Sequence, residues 1–134
     1  MIAAVALAAA CGGSESAGAP TAGGDEARPA ATTVDLSTLP AVTATLYRFV
    51  AANAAVAAGL PCYCGCGPLQ GHRSLADCFL TPTGAYDAHA SACGVCLGEA
   101  QQVQTLLAEG TDPATIRAQI DAQWASAGPG TETS

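Results

Sequence analysis

The stretch "GLPCYCGCG", Gly59–Gly67, does two things at once. Gly59, Leu60 and Pro61 read as a helix stop: a glycine that tolerates the left-handed conformation, a hydrophobic contact, then a proline. Cys62, Cys64 and Cys66 follow on alternate residues among glycines. A disulfide between residues two apart closes a very small, strained ring, and three thiols leave one over. Thiolates around a metal ion meet neither difficulty, because Gly65 and Gly67 let the chain turn its sulfurs inward. The stretch is the end of a helix that opens directly into a thiol loop.

Upstream, the closing helix runs from about Pro40 to Ala58. Ser37 or Thr38 can cap it, and Pro40 suits its first turn. Leu46, Phe49, Val50, Val56 and Leu60 give one apolar face at three-and-four spacing. Downstream, Ser74 with Asp77 three places later resembles a capping box for a short helix carrying Cys78 and Phe79. "TPTG", Thr81–Gly84, is a turn. A long helix is predicted from about Asp87 to Glu109, closed by Gly110. Thr111 or Asp112 caps a last helix, Pro113 takes its first turn, and Ile116, Ile120 and Trp124 line its core face. No alternating strand and no internal repeat stands out. The fold class is all-α, a small bundle of about four helices with the cysteine loop between the first two.

His89, Cys93, Cys96, Ala100, Val103 and Leu107 fall on one stripe of the predicted long helix. The lower part of that stripe is ordinary core. The upper part presents one imidazole and two thiols together, which is how ligands are arranged. His72 sits just before the short helix, and Cys78 lies on that helix's apolar side. Six thiols and two imidazoles would fill two tetrahedral zinc sites. They also suit a thiolate-bridged Cu(I) cluster, since soft sulfur selects Cu(I). Zinc usually pairs its ligands at C-x₂₋₄-C spacing, which among consecutive cysteines only Cys93 and Cys96 obey, so copper is preferred to zinc.

"PCYCGCG", "GHRSLADCF" and "DAHASACGVCLGEA" together resemble the bacterial lipoprotein family named for its PCYCGC motif. The resemblance runs from the first helix through Trp124. It places Cys62, Cys64, Cys66, His72, Cys78, His89, Cys93 and Cys96 at the family's signature positions. It implies a lipoprotein and a domain of these boundaries, but no reaction.

The termini agree with that class. "MIAAVALAAACGGSES" is an apolar run ending in small residues, then Cys11, the pattern of a lipoprotein signal whose cysteine is lipidated. The run is too short to span a bilayer. Its basic n-region is missing, so the natural start is expected upstream of Met1. We therefore read residues 1–10 as a signal remnant and residues 11–36, rich in Gly, Ala, Pro, Ser and Thr, as a disordered tether. Residues 37–126 are the folded domain, and residues 127–134 a loose tail. A folded part this small gains from a staple of metal or disulfide.

The 134 residues include no lysine and carry a net charge of -7, which excludes a nucleic-acid footprint. No serine–histidine–acid grouping, carboxylate pair or phosphate loop points to a hydrolase or kinase. The reading is an extracytoplasmic metal-binding protein, lipid-anchored to a bacterial membrane, with a metal donor or acceptor protein as partner. The alternatives are a thiol–disulfide redox protein using "CGVC" and a structural disulfide-stapled domain.

Overall fold

The computed structural model describes residues 28–133. Among them are six α-helices and no β-strand: α1 (Ala41–Ala52), α2 (Ala54–Ala58), α3 (Gly67–Gln70), α4 (Leu75–Phe79), α5 (Gly94–Ala108) and α6 (Pro113–Trp124). Short 3-10 turns cover Leu36–Thr38 and His89–Ala92. The bundle is all-α as expected, with α1 and α2 the two parts of one predicted helix interrupted at Asn53 and α3 a single turn. Cys11 lies outside the described residues.

The helix predicted over 40–58 breaks at Asn53. Its side-chain amide donates to the Phe49 carbonyl at 2.8 Å, and its backbone leaves helical geometry at φ -119°, ψ 32°. A short polar side chain that bonds the local backbone offers it an alternative to the helix ladder. Leu46, Tyr47 and Val50 still face inward from α1. Tyr47 and Phe79 are both fully buried and meet edge to face, centroids 4.9 Å apart. The Tyr47 hydroxyl donates to the Asp87 carbonyl at 2.6 Å, so this ring carries no unpaired polar group into the core.

The expected long helix over 87–109 is corrected at its start: α5 begins only at Gly94. The residues before it are committed elsewhere. Asp87 N–H donates to the Phe79 carbonyl and Ala88 N–H to the Thr32 carbonyl, while the Asp87 carboxylate accepts from His89 N–H. Those long-range bonds hold 87–88 out of the helix, and Cys93 takes an extended N-cap conformation. The predicted stripe thus survives from Cys96 through Ala100 to Val103, but His89 and Cys93 do not belong to it.

Both edges of the domain extend past the expected ones. Val34 N–H bonds the Tyr86 carbonyl at 3.0 Å, Thr33 bridges Asp87, and Leu36 is buried, so 28–36 is not a free tether. At the other end, Thr131 is buried and its backbone N–H donates to the Cys62 carbonyl at 2.9 Å. The tail therefore runs back over the cysteine loop rather than hanging loose. α6 begins as its sequence indicates, with Asp112 accepting from Ala114 and Thr115 N–H, and it packs Ile116 and Ile120 against α5.

Candidate metal centre

The stop at Gly59–Pro61 delivers the chain into the core end of the bundle. Leu75 N–H bonds the Leu60 carbonyl at 2.9 Å, which ties the loop's entry to the start of α4. Cys62 and Cys66 point inward and are buried, while Cys64 is half-buried. Gly65, at φ 74°, makes the reversal between Cys64 and Cys66 that a side chain would resist. Thr131 clamps the loop from outside: its hydroxyl accepts from Cys62 N–H at 2.9 Å. α4, capped by Ser74, lifts Cys78 to 3.5 Å from Cys66, sulfur to sulfur. The first turn of α5 sets Cys96 3.5 Å from Cys62. From the 3-10 turn, His89 Nε2 stands 3.7 Å from the Cys64 sulfur.

These donors fall into three quartets, in each of which the ligand atoms lie within 4.8 Å of one another. They are Cys62, Cys64, Cys66 and Cys78; Cys64, His89, Cys93 and Cys96; and Cys66, His72, Cys78 and His89. All the cysteines in these quartets are free thiols. Thiolates bound about 2.3 Å from one tetrahedral ion lie roughly 3.8 Å apart, far beyond the ~2.0 Å of a disulfide. Sulfurs at 3.5 Å are close to the metal spacing. The arrangement can hold a metal ion.

The family model described as "Protein of unknown function with PCYCGC motif" matches residues 30–134. The chain belongs to that family. No curated protein and no solved structure matches it. The match begins in the segment that packs against Tyr86–Ala88 and includes the tail over the loop, as the fold does. The PCYCGC loop itself is therefore read from its own geometry.

Electrostatics single out Cys64 within that loop. Hydrogen bonds from Cys62 first, then Cys66, Cys78 and Cys96, hold its thiol well below the usual range, so it is the natural thiolate of the group. The same sharing raises Cys62, Cys66 and Cys78. At Cys96 the Cys62 contact acts downward, but the Cys64 hydrogen bond and burial prevail and push it up to about 11.

Among the described residues, two buried polar atoms beside the sulfurs have no hydrogen-bond partner, Glu99 Oε2 and His72 Nδ1. Glu99 is fully buried on α5, and its Oε1 accepts from Tyr63 N–H at 2.8 Å. Burial pushes its carboxyl up to about 7, against hydrogen bonds from Cys62 and Tyr63. It thus pins the loop between Cys62 and Cys64 from below. Tyr63 is also held from α6, its hydroxyl donating to Asp121 at 2.8 Å. His72 Nε2 faces Arg28 Nη2 at 3.0 Å, and the same guanidinium is paired with Asp87 at 2.7 Å.

All the sequence-predicted donors, Cys62, Cys64, Cys66, His72, Cys78, His89, Cys93 and Cys96, therefore meet at one end of the bundle. They do so by a different route than the helical stripe, since the 3-10 turn and the N-cap of α5 supply His89 and Cys93. Four supporting residues escaped sequence reading. Glu99 lies three residues after Cys96, on the inward side of α5, where a carboxyl among apolar residues is a usable signal. Arg28, Asp87 and Thr131 act over long chain separations and carry no local signature.

Proposed function

We propose that this PCYCGC-family chain is a membrane-anchored, extracytoplasmic metal-binding protein. It binds Cu(I) in preference to zinc through its clustered thiols and imidazoles, for sequestration or for transfer to and from a metal donor or acceptor protein. The observation that supports it is the convergence of free cysteines and histidines into overlapping quartets. Sulfur dominates the donor set, and soft sulfur favours Cu(I). Overlap between quartets favours it too, because Cu(I) accepts low coordination and shared thiolates. Location is argued from Cys11 and the apolar run before it.

A competition titration under argon, with Cu(I) and Zn(II) chelators of known affinity, tests the metal. The protein is expected to take Cu(I) from a chelator of moderate affinity. Zinc bound at two or more equivalents, with no capture of Cu(I), rejects the assignment. Cys11→Ser tests the anchor: the variant is expected in the soluble fraction, and unchanged membrane association rejects it.

The second reading is thiol–disulfide exchange, favoured by the close pairs Cys62–Cys96 and Cys66–Cys78. It pairs Cys96 with the loop rather than with Cys93 of the CGVC motif. Thiol counting before and after a disulfide-bonded substrate is added separates the two readings, since a metal carrier leaves the substrate oxidised.

A further inference from the structure

The donors differ in burial and in how they are shared. The Cys64 sulfur belongs both to the quartet of Cys62, Cys66 and Cys78 and to that of His89, Cys93 and Cys96. Cys66 and Cys78 also recur, but in the quartet that requires His72. His72 is poorly placed to serve as a ligand. Arginine has no acceptor, so the Arg28 contact at 3.0 Å makes His72 Nε2 the acceptor. The ring proton then sits on Nδ1, and neither nitrogen offers a free lone pair to an ion. That quartet also shares His89 with the other imidazole-containing one, and a neutral imidazole has a single lone pair to give. A thiolate sulfur, by contrast, can bridge two soft ions.

We propose that the cluster is a two-ion centre bridged by Cys64, with a closed ion on Cys62, Cys64, Cys66 and Cys78 and an exchangeable ion on Cys64, His89, Cys93 and Cys96. This rests on the metal-binding reading above and adds which residues share which ion. In the first quartet only Cys64 is not buried, whereas in the second Cys64, His89 and Cys93 are all half-buried. A cavity of about 300 Å³, bounded by His72, His89 and Ala92, opens on the His89 side. Exchange replaces ligands one at a time, so an incoming thiol or thioether needs exposed ligands to displace. Only the second quartet offers several. It is the face a metal donor or acceptor with soft ligands would meet, while the first ion remains with the loop as a staple. His72 remains a buried hydrogen-bonding residue beside the sulfurs, held by Arg28.

Cadmium is the probe, on the reduced full chain under argon. The chain is expected to bind two cadmium ions whose NMR resonances show scalar coupling through the shared sulfur. EDTA is expected to release one ion about tenfold or more faster than the other, since affinity differences reside mostly in off-rates. Cys93→Ser is expected to lose the fast ion and keep the slow one. Serine is a favoured N-cap, and Cys93 is the N-cap of α5, so the helix start tolerates the change. His72→Gln is expected to keep both ions. One ion per chain, two uncoupled resonances, equal release rates, or loss of an ion in His72→Gln would each overturn the bridged centre. No cadmium uptake at all would overturn the metal-binding reading with it.

Discussion

Replacing Glu99 by glutamine removes an ionisable group from a fully buried position beside the thiol loop. Glutamine keeps the carbonyl oxygen that accepts from Tyr63 N–H and nearly the same volume. The carboxyl is raised from 4.5 to about 7 by burial, so the folded protein favours its neutral form. A raised carboxyl contributes its full stability below the unfolded value and loses it as pH climbs through the folded one. The wild-type, metal-free protein should therefore weaken across a window from about 4.5 to about 7 relative to the variant. A shift of that size corresponds to about 3 kcal/mol, at roughly 1.4 kcal/mol for each pH unit between the two values. Glutamine brings its own cost, because its amide nitrogen stands where Glu99 Oε2 lacks a partner. That cost is the same at every pH, so the comparison is made between pH values rather than between proteins. The assay is urea unfolding of both reduced proteins under argon, from about pH 4 to about pH 8. The stability difference should move in favour of Glu99→Gln by about 3 kcal/mol over that range. Parallel pH profiles for the two proteins would refute the account of a neutral, buried Glu99.

Arg28→Ala strands Asp87, whose side chain is only 6% exposed, and should destabilise the protein by about 3 kcal/mol in urea unfolding. The loss is not larger because Asp87 keeps the His89 N–H, and a loss under about 1 kcal/mol would mean that 28–36 is not docked as described. Gly98→Ala would drive a Cβ into the Trp124 ring, which must swing outward. A loss of about 1–3 kcal/mol and a red-shifted tryptophan emission should follow, and Trp124 is the sole tryptophan, so an unchanged spectrum contradicts this packing. Stripping the metal should lower the melting temperature by many degrees, because the donor set ties the loop to α5. An unchanged melting temperature would separate metal binding from folding.

The elements governed by local chemistry were legible in the sequence. The helix stops at Gly59–Pro61 as expected, but with Gly59 at a right-handed φ of -82° rather than a left-handed one. The Ser74 cap of α4 and the Asp112–Pro113 start of α6 follow from neighbours a few residues away. The apolar spacing of Leu46, Val50, Ile116 and Ile120 found the core for the same reason. Where bonds between distant segments decided the backbone, local pattern failed. The 87–93 stretch has helical spacing, but bonds to Phe79 and Thr32 compete for its backbone and win. At Asn53 the break was local, a side chain turning back on its own helix, and it was hidden by the apolar pattern on either side. Arg28 and the tail were misread because small, polar composition says only that a segment has no core of its own. It does not say that another segment lacks a place for it. The convergence of the thiols and imidazoles was legible from residue types, whereas Glu99 required knowing that α5 turns that position inward.

The central claim is that these sulfurs and imidazoles hold a soft metal ion. X-ray absorption at the metal edge, with elemental analysis, on full-length protein purified without oxygen tests it most directly. The account predicts stoichiometric metal with a first shell dominated by sulfur at about 2.3 Å and all six cluster thiols reduced on removal of the metal. Metal-free protein that takes up none when copper or zinc is offered, with disulfides joining Cys62 to Cys96 and Cys66 to Cys78, would contradict it.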